Sequence, residues 1–165
     1  MILNFFEPSR RKQSDRLRII KSAKSETVSR NYMSFGKDYF DNTKQGLGYG
    51  GYYYDGRFAD TAKRMIEHYC LKKGDRVLEV GCAKGFLLVE FYKLGMQVVG
   101  LDASKYAVKN AHADISKFIQ MGDASCMPFI DNSFDLIISK EMLPHIPKDK
   151  LEKTIREFIR VSKKN

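Results

Sequence analysis

No stretch of the 165 residues is apolar for anything near the length of a membrane-spanning helix. Nor does the start resemble a secretory signal, which places its charge before its apolar core. Here Met1-Ile2-Leu3-Asn4-Phe5-Phe6 comes first and Arg10-Arg11-Lys12 follows. A cytoplasmic chain is expected. Cysteine is sparse as well: Cys70, Cys82 and Cys126 are far apart, odd in number and form no C-x-x-C pair. That pattern argues against a disulfide framework and against a zinc site, and no other metal site is suggested. Acidic residues are the minority charge, 20 against 29 Lys and Arg, for a net charge of +9. Such an excess brings nucleic acid or an anionic substrate into consideration. Residues 1–30, however, hold eight basic and three acidic side chains, a net +5, so more than half of the excess lies in a leader. A solvated basic arm is the simplest reading of it, with RNA or a lipid surface as rivals.

What is present is one domain's worth of material with 43% hydrophobic residues, enough for a core. Residues 1–45 are poor in apolar side chains and rich in Ser, Lys and Arg, and are expected to be a weakly ordered basic leader. Next comes Gly46-Leu47-Gly48-Tyr49-Gly50-Gly51, which fits the G-x-G-x-x-G pattern of a dinucleotide turn. Those glycines matter only between a strand and a helix, and neither flank qualifies. Residues 46–56 therefore read as a Gly/Tyr-rich segment and not as a phosphate cradle.

From residue 57 onward the periodicity changes. Phe58, Ala62, Met65, Ile66 and Tyr69 recur at helical spacing. Arg76–Val80 is a short apolar run ending in Gly81, as expected of a strand buried on both faces. Helices are predicted at 86–94, at 104–112 with Ser104 as N-cap, and at 148–161, and strands at 97–101, 118–121 and 134–139. In the last helix Leu151, Ile155, Phe158 and Ile159 form the expected inward face. The alternation predicts an α/β fold: a Rossmann-like, doubly wound parallel sheet with helices on both faces, over residues 57–165.

Ligands of such sheets bind at the carboxyl ends of the strands. There the chain places Glu79-Val80-Gly81-Cys82-Ala83-Lys84-Gly85, Asp102-Ala103, Gly122-Asp123-Ala124 and Ser139-Lys140-Glu141. Gly81, Ala83 and Gly85 keep the first loop small enough for a ligand to reach backbone. Asp102, 17 residues beyond Gly85, can accept hydrogen bonds from two ribose hydroxyls. Glu79 distinguishes the nucleotides. A carboxylate beside the loop works against a pyrophosphate, whereas the ammonium and sulfonium of S-adenosylmethionine are favoured by it.

VLEVGCAKGFLL, VVGLDAS, GDASCMPFIDNSFDLIIS and the closing REFIRVSKK resemble, in order and spacing, the motifs of class I S-adenosylmethionine-dependent methyltransferases of the type 11-like group. The resemblance covers residues 57–164. It implies S-adenosylmethionine as cofactor, with Glu79, Gly81, Cys82, Ala83 and Gly85 on its methionine side. Asp102 and Ala103 would hold the ribose, Asp123 and Ala124 the adenine, and Ser139 the methionine and substrate side. Ala83 stands where many members have glycine. The stretch from Lys37 to Phe58 is similar to a segment that folds over the cofactor as a lid in a subgroup, with Tyr49, Tyr52, Tyr53 or Tyr54 facing the sulfonium.

Methyl transfer is an in-line displacement, so alignment and exclusion of water are the main requirements. For a hydroxyl acceptor, His145 and Glu141 are the candidate general bases, while His145 also reads as a plain turn residue. Ser139-Lys140-Glu141-Met142 lacks the Asn/Asp-Pro-Pro-aromatic signature of enzymes that methylate base amino groups. The expected acceptor is a small polar molecule, a sugar or another hydroxyl compound. Two rivals stand beside this: a non-catalytic S-adenosylmethionine-binding or interaction module, and an RNA methyltransferase using the basic leader. The resemblance also breaks off where members enter a fifth strand. The domain is therefore expected to be truncated after the helix that follows strand 4, and a sheet ending at residues 134–139 would expose an edge: a fragment of a longer protein, a half completed by a partner chain, or a domain pairing with a second copy.

Overall fold

The computed structural model describes residues 4–6, 32, 34–43 and 48–163. Four parallel strands form one sheet: β1 Arg76–Val80, β2 Gln97–Asp102, β3 Ile119–Met121 and β4 Leu136–Ile138, in the spatial order β3-β2-β1-β4. The register sets Glu79 of β1 beside Gly100 of β2 on one side and Ile138 of β4 on the other. β1 is central and buried over four of its five residues, consistent with its unbroken apolar run.

Among the described residues five α-helices accompany the sheet: α1 Lys37–Phe40, α2 Ala59–His68, α3 Phe86–Lys93, α4 Lys105–Lys109 and α5 Lys148–Val161. Alternation along β1 divides the core. Val77 joins Met65, Leu88 and Phe91 on the face covered by α2 and α3, whereas Leu78 and Val80 join Leu101, Phe134 and Val161 on the α5 face. Helices thus lie on both faces, as expected. α3 starts at Gly85, whose φ of 76° and lack of a side chain are both needed: a Cβ there would fall 2.3 Å from Ile115 Cδ1. Ser104 caps α4, its side chain accepting the Ala107 N–H at 3.0 Å.

Several expectations are corrected. α4 stops at Lys109 and not near His112, because the chain turns so that the His112 N–H reaches the Lys84 carbonyl at 3.0 Å. β3 starts at Ile119, after a 3-10 turn at Ser116–Phe118. β4 has regular pairing only over Leu136–Ile138, while Phe134 forms an isolated parallel bridge with Ser162. In α5 the predicted apolar face is only partly inward: Phe158 packs against the core cluster of Leu78, Phe134 and Val161, and the other three residues do not. Thr154 and Val161 are buried, but Leu151, Ile155 and Ile159 are 39%, 40% and 65% exposed. Polar anchors set this rotation. Glu157 accepts the Met127 N–H at 2.6 Å, and Arg160 donates to the Phe129 carbonyl and to Asp131, each at 2.7 Å. These bonds turn the Glu157/Arg160 side toward the 127–131 loop.

The division of residues 1–45 as a weakly ordered leader is also too coarse for the parts described. Phe5 lies against His68 and Tyr69, Phe6 against Phe58, and Thr61 donates to the Phe5 carbonyl at 3.0 Å. Residues 34–43 carry α1 and bury Phe40. A few aromatic rings dock these segments in spite of their polar composition. Among the described residues no helix is long and apolar enough to cross a membrane.

The packing gives a direct contrast. Phe134→Ala, at a side chain with no exposed area, is expected to cost about 3–5 kcal/mol by urea denaturation, whereas Ile159→Lys should stay within ~0.5 kcal/mol. A large loss for Ile159→Lys would mean that this face is covered.

Candidate functional site

The carboxyl ends of β1, β2 and β3 and the chain leaving β4 meet around a cavity of about 480 Å³. Gly81, Ala83, Asp102, Ala103, Asp123 and Ala124 line it, as do Glu141 and His145. Glu79, Cys82, Gly85 and Ser139 are not in the lining. Cys82 is buried in the core on the α3 side, and Gly85 serves the start of α3. The structure therefore brings together eight of the expected residues and sets four behind them.

Backbone geometry shapes the floor. Gly81 has a φ of 78°, and a Cβ on it would lie 2.6 Å from Met142 Cβ and Cγ, so only glycine leaves this strand end open. Ala83 adopts a φ of 52°, which costs a residue bearing a Cβ about 1–2 kcal/mol. One compensation is visible: its N–H donates to Asp102 Oδ2 at 2.6 Å. Asp102 Oδ1 accepts the Ser104 N–H at 2.8 Å. Burial pushes the Asp102 carboxyl above its ordinary range, and these two N–H groups oppose that shift.

Glu79 lies deeper. It is 5% exposed, and among the described residues neither its Oε2 nor Ser139 Oγ has a hydrogen-bond partner. Burial pushes the Glu79 carboxyl up to about 8, with Lys140 pulling it down and Asp102 raising it further. Burying a carboxyl oxygen without a hydrogen bond is costly, and this one lies two residues before Gly81. Asp123 differs. Its Oδ2 accepts from Lys150 at 2.7 Å and its Oδ1 from the Ser125 N–H and hydroxyl at 2.8 Å each, which brings it down to about 2.

Composition concealed the other wall. Phe35, Tyr39, Phe40 and Tyr49 line the cavity from a cover made of residues 34–43 and 48–54. Tyr49 and Tyr52 are 4.3 Å apart, and Phe40 stacks on Tyr49 at 5.5 Å. Of the four tyrosines at 49–54, Tyr49 lines the cavity. Tyr52 stacks on Phe86, Tyr53 is exposed, and Tyr54 donates to Glu90 at 2.6 Å. The described part of the glycine cluster shapes this cover. Gly48 has a φ of 59°, and a Cβ there would meet the Tyr39 carbonyl oxygen at 2.3 Å; Gly46 and Leu47 lie outside the described residues. The signal that could have located the wall is the aromatic set Phe35, Tyr39 and Phe40 in an otherwise polar stretch. His145 is exposed, with its ring edge-on to Phe35 at 5.4 Å, and Glu141 pairs with Lys140 at 3.2 Å.

Comparison with known proteins agrees with this geometry. Residues 78–165 match the model of a methyltransferase domain family. A sterol 24-C-methyltransferase of Gibberella zeae is 31% identical over 93% of this chain and 44% of its own length. Norajmaline N-methyltransferase of Rauvolfia serpentina is 36% identical over 64% of this chain and 39% of its own. The chain thus spans less than half the length of these curated relatives. Among solved structures, a protein of Pyrococcus horikoshii superposes with a TM-score of 0.60 at 24% identity, over 82% of this chain and 62% of that one, a likeness of fold. By the family match, the motif order and the parallel sheet with its strand-end cavity, the chain belongs to the class I S-adenosylmethionine-dependent methyltransferases, of the methyltransferase-domain family.

Proposed function

We propose that this chain transfers a methyl group from S-adenosylmethionine to a small-molecule acceptor with a largely apolar body. The observation that carries the reading is the buried Glu79 carboxyl, whose Oε2 has no hydrogen-bond partner among the described residues, behind a strand-end cavity lined by Asp102. The residues suit the cofactor. Gly81 leaves room for a ligand against backbone, and each Asp102 oxygen accepts one N–H and retains a lone pair for a ribose hydroxyl. Glu79 Oε2 and Ser139 Oγ offer unused acceptors on the side suited to an ammonium and a sulfonium. Leu101, Met121 and Ala124 provide apolar surface for an adenine ring. When bound, S-adenosylmethionine supplies an electrophilic methyl on a sulfonium.

What the chain itself contributes is alignment and exclusion of water. The aromatic cover closes the cavity from one side, and Glu141 and His145 stand in its lining as groups able to take a proton from an acceptor. The apolar body is supported by Phe35, Tyr39, Phe40, Met142 and Ile146 in the lining, and by relatives named for a sterol and for norajmaline. A sugar acceptor has no such support.

Calorimetric titration with S-adenosylhomocysteine tests the site. Asp102→Ala should weaken binding by roughly ten- to a hundredfold, the loss of about 1.5–3 kcal/mol of charged hydrogen bonding. Unchanged affinity would refute the assignment.

Glu79 adds a pH signature. Its folded-state pKa, about 8, lies above the ordinary 4.5, so its stabilising contribution is complete below about pH 4.5 and is lost as pH rises through 8. Binding of cationic S-adenosylmethionine favours the ionised form, so affinity should rise with pH up to about 8. Glu79→Gln should flatten both profiles, read by denaturant unfolding and by calorimetry between pH 5 and about 9.

A further inference from the structure

The cover and the Gly81–Gly85 loop are joined by a buried cation. Lys84 is 7% exposed, and its Nζ donates to Asp41 Oδ1 at 2.7 Å, to Asp41 Oδ2 at 2.8 Å and to the Tyr52 carbonyl at 3.0 Å. Its hydrogen-bonding protons are thus directed to acceptors on the cover. Asp41 is a hub in its turn. Tyr106 of α4 donates its hydroxyl to Oδ2 at 2.6 Å, and the Tyr52 N–H approaches Oδ1 at 3.4 Å. A second tie is close by, where Ser104 donates its hydroxyl to the Phe35 carbonyl at 2.6 Å.

The energetics of such a pair are one-sided. A lysine this deep is tolerated only while its partner is in place, since removing one member leaves an uncompensated buried charge. Lifting the cover would take Asp41 and the Tyr52 carbonyl away from Lys84 together. The location matters equally: Lys84 follows Ala83, whose N–H holds Asp102, and precedes Gly85, which starts α3. One loop therefore grips the expected ribose-holding carboxylate with its backbone and the cover with its side chain.

We propose that Lys84 anchors the cover: through its ion pair with Asp41 it is a positioning residue that keeps Phe35, Tyr39, Phe40 and Tyr49 over the cavity and lengthens the stay of a bound ligand. Only the identity of that ligand rests on the proposed function. Aromatic packing, such as Tyr52 on Phe86 at 4.5 Å, is the alternative support, and the two make different predictions. If the ion pair is the anchor, cutting it loosens the cover while leaving the sheet unchanged. If packing suffices, the cover stays.

The test is hydrogen exchange on the ligand-free chain, read at the cover amides of Asp41, Tyr49 and Gly51, which are bonded to carbonyls within the cover, and at β1 and β2 as internal control. Lys84→Met and Asp41→Asn should each lower cover protection about tenfold or more without changing the strands. The exchanged pair Lys84→Asp with Asp41→Lys should recover part of it. In a stopped-flow experiment with S-adenosylhomocysteine, the same variants should release ligand about tenfold faster. Unchanged cover exchange in both single variants would overturn the proposal. Should Lys84→Met fail to fold, Asp41→Asn decides alone, because Asp41 lies on the cover and outside the sheet core. Should the wild-type chain bind no S-adenosylhomocysteine, the functional reading falls, and exchange still decides the anchor.

Discussion

The carboxylate of Asp102 organises the site. It ends β2 and accepts N–H groups from Ala83 at 2.6 Å and Ser104 at 2.8 Å, so it ties the loop after β1 to the start of α4. Ala83 is held in a left-handed conformation that its methyl group resists, and the charged hydrogen bond opposes that cost. Gly81, Lys84 and Gly85 take their positions from this loop. The open floor, the anchored cover and the start of α3 all follow from it.

Local charge, and not net charge, describes the functional surface. The chain carries +9, yet Asp102, Asp123 and Glu141 line the cavity, the last two paired with Lys150 and Lys140, and Glu79 lies behind it. Their environments separate them. Asp123 is half exposed and satisfied by Lys150 and Ser125, which makes it a strong acid; Glu79 is buried and lacks a partner on one oxygen, which makes it a weak one. Lys84 shows the same physics with opposite sign. Its burial is matched by Asp41, so its charge serves to hold two segments together. Among the described residues one oxygen of the buried acid is thus left without a partner, whereas the buried cation is matched.

The α5 face shows how pairing of polar groups can override an apolar pattern. Period alone put Leu151, Ile155, Phe158 and Ile159 inward, since an amphipathic stripe normally faces the core, and only Phe158 packs there. Glu157 and Arg160 instead bind the backbone at Met127 and Phe129, and several directed hydrogen bonds to otherwise unsatisfied groups outweigh a stripe that water can cover at moderate cost. The same rule applies to the cover. Its polar sequence carries few apolar residues, but Phe35, Tyr39 and Phe40 fall where the strand ends can accept them.

The sequence by itself determined the parallel sheet, the strand β1 from Arg76 to Val80, the helix from Lys148 to Val161, and the residues at the strand ends. Those features depend on short-range period and on glycine and capping signals, which are local properties of the chain. Only the tertiary structure decided which strand-end residues line the cavity, that Tyr49 rather than Tyr52 faces it, that Lys84 pairs with Asp41 across 43 residues, and which side of α5 is buried. The physical reason is that these outcomes depend on which groups meet in space. Burial and hydrogen-bond satisfaction are set by neighbours distant in sequence, and no local pattern around Lys84 or Ile159 contains them.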